Sequence, residues 1–241
     1  MAPPTGKQLR AAWAAVARTS LAPGAVDAPT ATGWVGVVVT ATGAAIATTA
    51  WLGARAVLAA GVVPAIAAVV AALVGLIAGA AILERGVVRA AERWFGARWS
   101  AAIAGGTVLG RVVILWSTAP ARWLGALVVA AVVGRWGAIA LQRLGDVASS
   151  ERGLAVGDIG WLDVGATTAL VLAVAAIAAG WAGVALVVVL GLCAFGLGLV
   201  IQTVDGELSS ANLAAIAVAL ELIALVALSV IAPAATSPFV R

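Results

Sequence analysis

The sequence predicts an all-α, polytopic membrane protein of about seven transmembrane helices, and three observations carry that expectation. Of its 241 residues 64% are hydrophobic and only 10% are charged, whereas a soluble domain typically carries about a quarter charged residues. The apolar residues are gathered into runs near the roughly 20 residues that a helix needs to cross the hydrocarbon layer. Tryptophans stand at many of the run ends, where an indole ring is apolar but its N–H seeks a wet partner.

In chain order, residues 1–32 form an N-terminal segment carrying Lys7, Arg10 and Arg18 and interrupted by Pro23 and Pro29. Its apolar stretch Ala11 to Leu21 suits a short helix on the membrane surface, and its broken pattern does not suit a cleavable signal peptide. Residues 33–232 read as one transmembrane domain and 233–241 as a short tail. The expected spans are Gly33–Leu52, Val57–Leu83, Ala101–Thr118, Trp123–Leu141, Leu162–Trp181, Gly183–Ile201 and Ala211–Ala232. Trp34 and Trp51 bracket the first, Trp116 and Trp123 the turn after the third, and Trp161 and Trp181 the fifth. Abundant Gly and Ala allow the helices to approach closely.

Charge sets the expected orientation. The N-terminal segment and the connections Glu84–Ser100, Gln142–Gly160 and Gln202–Ser210 hold Lys7, Arg10, Arg18, Arg85, Arg89, Arg93, Arg98, Arg143 and Arg152, against Arg55, Arg122 and Arg241 on the other side. The positive-inside bias places the N-terminus and the three polar loops in the cytoplasm, at a cell membrane, and the C-terminus outside. The net charge of +4 is thereby explained by orientation, and no nucleic-acid partner is expected. One cysteine, Cys193, excludes an internal disulfide, and the absence of histidine removes the usual zinc and imidazole chemistry.

The densest charge cluster is the stretch from Leu83 to Gly96, directly after an apolar run. As a helix it sets Arg85, Arg89 and Glu92 on one face, at spacings of four and three. Arg111, Arg135 and Glu221 lie inside apolar spans, where facing lipid costs about 2.5–3.5 kcal/mol each, so they are expected to face the bundle interior or a wet cavity. Pairing with one another, or snorkelling to an interface, is the plainer account of them; a cationic lining for a phosphate-bearing substrate is the functional one. The Gly145–Asp158 loop, rich in Gly, Ser and Asp, reads as irregular backbone, either a solvated connection or a wrap for phosphate or a cation. Ser209 or Ser210 suits the N-cap of the last span, and Asp205, Glu207 and Asn212 supply oxygens there that complement the helix dipole or hold Mg²⁺.

The order of these features resembles the cobalamin-5'-phosphate synthase family, the adenosylcobinamide-GDP ribazoletransferases, nearly end to end. The Leu83–Arg93 stretch occupies the place of the family's acidic run H-x-D-G-x-x-D-x-x-D-G. Gly134-Arg135-Trp136 and Ser150-Glu151-Arg152-Gly153-Leu154 resemble its G-R-x and A-x-x-E-G-L-G stretches, and Asp205 through Leu213 its terminal T-G-D-x-x-G-A-x-x-E segment. Where the family has three carboxylates this chain has Arg85, Arg89 and Glu92; Asn212 replaces the terminal Glu, Asp205 is retained, and the connection after Gly96 is shorter.

The resemblance implies a membrane-embedded transfer in which the hydroxyl of α-ribazole, or of its 5'-phosphate, attacks the phosphate of adenosylcobinamide-GDP and GMP leaves. It implies Mg²⁺ as cofactor, held by Glu92, Asp205 and Glu207, with Glu92 and Asp205 catalytic and Arg85, Arg89, Arg111, Arg135, Glu151 and Asn212 binding the substrate. The implied partners are membrane lipid, the corrinoid nucleotide and other cobalamin-assembly enzymes. A non-catalytic relative that binds corrinoid precursors or scaffolds their assembly is the alternative. A solute transporter ranks third, because the polar residues are expected in loops and not at mid-membrane in broken helices.

Overall fold

A computed structural model of the chain describes residues 35–79, 81–145 and 159–231. The described residues are helical throughout: α1 (Val35–Ala59), α2 (Pro64–Ala78), α3 (Ile82–Phe95), α4 (Ala97–Trp116), a 3-10 turn (Pro120–Arg122), α5 (Trp123–Leu144), α6 (Trp161–Asp205) and α7 (Ser210–Ile231). Five of them are long and apolar enough to cross a membrane, and α2 with α3 form a sixth, bent pair. At 45 residues α6 would extend about 68 Å as one rod, more than twice the hydrocarbon thickness of about 30 Å. It does not run straight. Gly180 adopts φ 60°, ψ −144°, and a Cβ on Gly183 would strike the Ala175 carbonyl, so the chain doubles back into two arms, 161–179 and 181–205. The seven expected spans are accounted for as α1, the bent pair, α4, α5, these two arms and α7.

Two boundaries are corrected. The first helix continues past Leu52 to Ala59, so Trp51 lies within it. The apolar stretch Val57–Leu83 is not one span: Gly61, at φ 79°, turns the chain into Pro64, which opens α2 because its missing N–H has no intrahelical role at that position. α2 then stops after 15 residues and meets α3 at an angle of 86°. Ala81, just before α3, takes the left-handed conformation at φ 53°. The Glu84–Ser100 connection, expected between spans on the polar side, is helical: it is most of α3, which buries Leu83, Val87, Ala90 and Ala91 against the bundle, followed past Gly96 by the start of α4.

α5 is the central helix, two-thirds buried within the bundle where α4 is only 11% buried. It runs antiparallel to α1 and to the first arm of α6: Gly36 lies by Ile139 and Asp163, and Gly43 by Ala131 and Arg135. The second arm returns alongside it, with Gly191 against Trp136 and Gly198 against Leu141. Trp123, expected in the interfacial belt, is instead fully buried with Leu115 and Ala54, its indole N–H donating to the Thr118 carbonyl at 2.9 Å. Trp116, Trp161 and Trp181 are exposed as expected, whereas Trp34 lies outside the described residues.

Asp163, 1% exposed, holds the start of α1 from 127 residues away: Gly36 N–H donates to Oδ2 at 2.8 Å and Val37 N–H to Oδ1 at 3.2 Å. These amides lie in the first turn, where no intrahelical acceptor is available, so a carboxylate here supplies both hydrogen bonds and dipole compensation. Asp163→Ala is expected to lower the unfolding free energy by about 2 kcal/mol, and Asp163→Asn to restore part of it, as read by thermal unfolding in detergent. An unchanged melting temperature in Asp163→Ala would refute this capping role.

Candidate functional site

Three of the residues singled out in the sequence meet at mid-helix, joined by one that was not. Glu221, halfway along α7, lies between two arginines: Arg111 Nη2 of α4 donates to its Oε2 at 2.8 Å and Arg135 Nη1 of α5 to its Oε1 at 2.9 Å. Arg111 Nη1 also donates to Glu84 Oε1 on the first turn of α3. Four helices are thus tied by a chain of charges, Glu84, Arg111, Glu221 and Arg135, whose formal charges sum to zero. Side-chain exposures in the cluster run from 9% to 14%. Pairing is obligatory at this depth, because an isolated buried charge costs several kcal/mol.

The sequence makes room for this cluster with glycine. A Cβ at Gly134 would lie 2.5 Å from the Ala217 carbonyl and 2.6 Å from Glu221 Cγ, and one at Gly43 would lie 2.6 Å from Arg135 Cδ. Small residues therefore bring α5 onto α7 and α1 onto α5 closely enough for Arg135 to reach Glu221. Beside the four charges lies a cavity of about 70 Å³ whose remaining walls are small or aliphatic, including Ala47, Ala72 and Gly75. Glu84 escaped notice in the sequence because it reads as part of the charged stretch after a long apolar run. Its place immediately after that run was the available signal.

The remaining expected site residues fall elsewhere. Arg85, Arg89 and Glu92 do share one face of α3, and that face is exposed, opposite Leu83 and Val87. Arg85 Nε approaches the Ala81 carbonyl at 3.4 Å. At the far end of α3, Asp205 Oδ2 accepts from Asn212 Nδ2 at 2.9 Å and from Trp94 Nε1 at 3.2 Å, with Arg93 Nη1 at 3.8 Å. Ser209 is the N-cap of α7, its Oγ accepting from Asn212 N–H at 3.1 Å. Asp205 and Asn212 therefore do come together, as a lock between α3 and α7. Glu207 is exposed and Glu151 lies outside the described residues.

The Mg²⁺ set named from the resemblance does not fit. Among the described residues no three of His, Cys, Asp and Glu are grouped to hold a metal ion, so Glu92, Asp205 and Glu207 do not form one site. The physical reason is local: Glu92 projects from the exposed face of α3, Glu207 is exposed, and Asp205 turns its Oδ2 to an amide, an indole and an arginine. The low ranking of a transporter also loses its premise, since charged residues do gather at mid-helix beside the bent α2–α3 pair. Comparison with protein-family models, with characterised proteins and with solved structures gives no match.

Proposed function

We propose that this chain is a membrane-embedded relative of the cobalamin-5'-phosphate synthases that binds a phosphate-bearing corrinoid precursor without carrying out the metal-dependent transfer. The observation that carries this reading is the exposed face of α3, where Arg85 and Arg89 stand at positions that the resemblance assigns to carboxylates. Guanidinium groups bind phosphate directly, by paired N–H donors, and cannot ligate a cation. Support also comes from the way the resembling stretches pack: a Cβ on Gly86 of α3 would strike Ala214 of α7, Gly134 crosses Ala217, and Asp205 meets Trp94.

With detergent-purified chain, adenosylcobinamide-GDP is expected to bind, and no GMP is expected on adding α-ribazole and Mg²⁺. Changing Arg85 and Arg89 together to Ala is expected to weaken binding roughly a hundredfold, since each arginine removed takes away a charge-assisted hydrogen bond of about 1.4 kcal/mol. Unchanged affinity would reject the arginine clamp. GMP release that Asp205→Ala abolishes would favour the transferase reading over the binding one.

The proposed orientation rests on which basic residues share each end of the bundle. Arg93, Arg98 and Arg143 belong to the end where α3 meets Asp205 and α5 meets Gln202, and Arg55 and Arg122 to the opposite end by Trp123. The first end faces the cytoplasm of the cell membrane in this proposal. A reporter fused after Arg241 should therefore be accessible from outside; a cytoplasmic signal would reverse the topology.

A further inference from the structure

We propose that the corner where α3 turns into α4 seats one anionic phospholipid, its phosphate on Arg98 and its acyl chains along the outer face of α4. The site uses neither Arg85 nor Arg89, so it goes beyond the corrinoid reading and does not depend on it.

The first observation is a basic corner without a matching acid. Every residue from Glu92 to Trp99 is exposed. Glu92 is the one acid in this run, set against Arg93 and Arg98, and Arg93 also has Asp205 at 3.8 Å. Arg98 makes no ion pair among the described residues and lies over the Trp99 ring at 5.8 Å. Gly96, at φ 83°, opens α4 with no side chain to cap it, and the first turn of α4 holds no acidic residue. The positive end of the helix dipole therefore coincides with an unneutralised guanidinium, and both favour an anion that accepts paired N–H donors.

The second observation is aromatic. Phe95 and Trp99 are 60% and 56% exposed on the two sides of the turn, and Trp94 stands edge-on to Phe95 at 6.5 Å. Exposed rings among arginines at the end of a membrane-crossing bundle suit the level of lipid glycerol and headgroup, apolar on one side and wet on the other.

The third lies below the corner. Glu84 at the start of α3 reaches Arg111 late in α4, so the two helices run antiparallel away from the turn. α4 directs Arg111 inward and leaves Ala102, Gly105, Gly106 and Leu109 exposed, with nothing within 4 Å of a Cβ on either glycine. From Arg98 to Leu109 this strip carries no further charge and extends about 16 Å, close to the hydrocarbon depth of one leaflet at about 15 Å. A basic head above a smooth apolar strip of that length is complementary to an anionic phospholipid. Small residues also favour helix packing, which makes a second copy of the chain the competing occupant. Two copies related by a two-fold axis along this strip would set their Arg98 side chains at one level, a like-charge contact that a lipid phosphate instead neutralises.

Native mass spectrometry of the detergent-purified full chain, titrated with dioleoylphosphatidylglycerol or dioleoylphosphatidylcholine, tests the proposal. The parent is expected to bind one phosphatidylglycerol at least about fivefold more tightly than phosphatidylcholine, the preference that one arginine near a charged surface supplies. Arg98→Gln should bring the two lipids level, Arg98→Lys should keep most of the preference, and Arg122→Gln, at the opposite end, should leave it unchanged. Trp99→Ala should weaken both lipids alike. Soluble glycerol 3-phosphate should not displace the lipid. Equal affinity for the two lipids in the parent, or a preference that survives Arg98→Gln, would overturn the proposal. So would displacement by glycerol 3-phosphate, which would mark a phosphate site and not a lipid one, or a dimeric chain that binds neither lipid, which would give this face to a second copy.

Discussion

Glu221→Ala is expected to lower the unfolding free energy by about 3–5 kcal/mol, the largest effect of any single side chain in the described bundle. The loss does not come from two hydrogen bonds alone. Removing the carboxylate leaves Arg111 with only Glu84 and leaves Arg135 with only the Ala131 carbonyl, and a guanidinium stranded at this depth carries most of the penalty. Glu221→Gln should lose less, because an amide oxygen still accepts one donor. Equilibrium unfolding by a denaturing detergent measures both, and a loss under about 1 kcal/mol in Glu221→Ala would mean that the arginines reach water by another route.

Gly134→Ala is expected to destabilise by about 1–3 kcal/mol, even though alanine is the better helix former by about 1 kcal/mol. The new methyl would meet a backbone carbonyl, Ala217 O at 2.5 Å, which cannot rotate away as a side chain does. α5 and α7 must then separate, lengthening the Arg135 to Glu221 contact. Gly105→Ala is the control: nothing lies within 4 Å of a Cβ there, so it should leave stability unchanged or raise it slightly. Equal responses from the two variants would show that the α5–α7 crossing is not close-packed at Gly134.

Most of the helical architecture was legible because a span of about 20 apolar residues is a physical requirement of the bilayer, and the Gly180 reversal lies where the fifth span was expected to end. That Arg111, Arg135 and Glu221 turn to the bundle interior was legible because facing lipid is expensive, but the sequence left pairing, snorkelling and a cavity lining as alternatives. The bend between α2 and α3 was not. Val57–Leu83 is apolar without interruption, and hydropathy does not register that Gly61 and Pro64 turn the chain while Ala81 adopts a left-handed backbone. Asp163, the second residue of the expected fifth span, carries no signal of its role in the local sequence. Its partners, Gly36 and Val37, are more than a hundred residues away, and local pattern carries no information about them. The Mg²⁺ set is a different case: Asp205 and Glu207 were named for their place before a helix N-terminus and Glu92 for the family stretch, and among the described residues the three are not grouped.

The charged chain from Glu84 to Arg135 ties α3, α4, α5 and α7 together inside the bundle, and the fold rests on it. A double-mutant cycle between Arg135→Met and Glu221→Leu, read by equilibrium unfolding, tests it most directly. Because removing both charges strands fewer groups than removing one, the double variant should be more stable than the sum of the single losses predicts, by about 1–3 kcal/mol. Losses that add within about 0.5 kcal/mol would contradict it, since Arg135 and Glu221 would then act as independent sites.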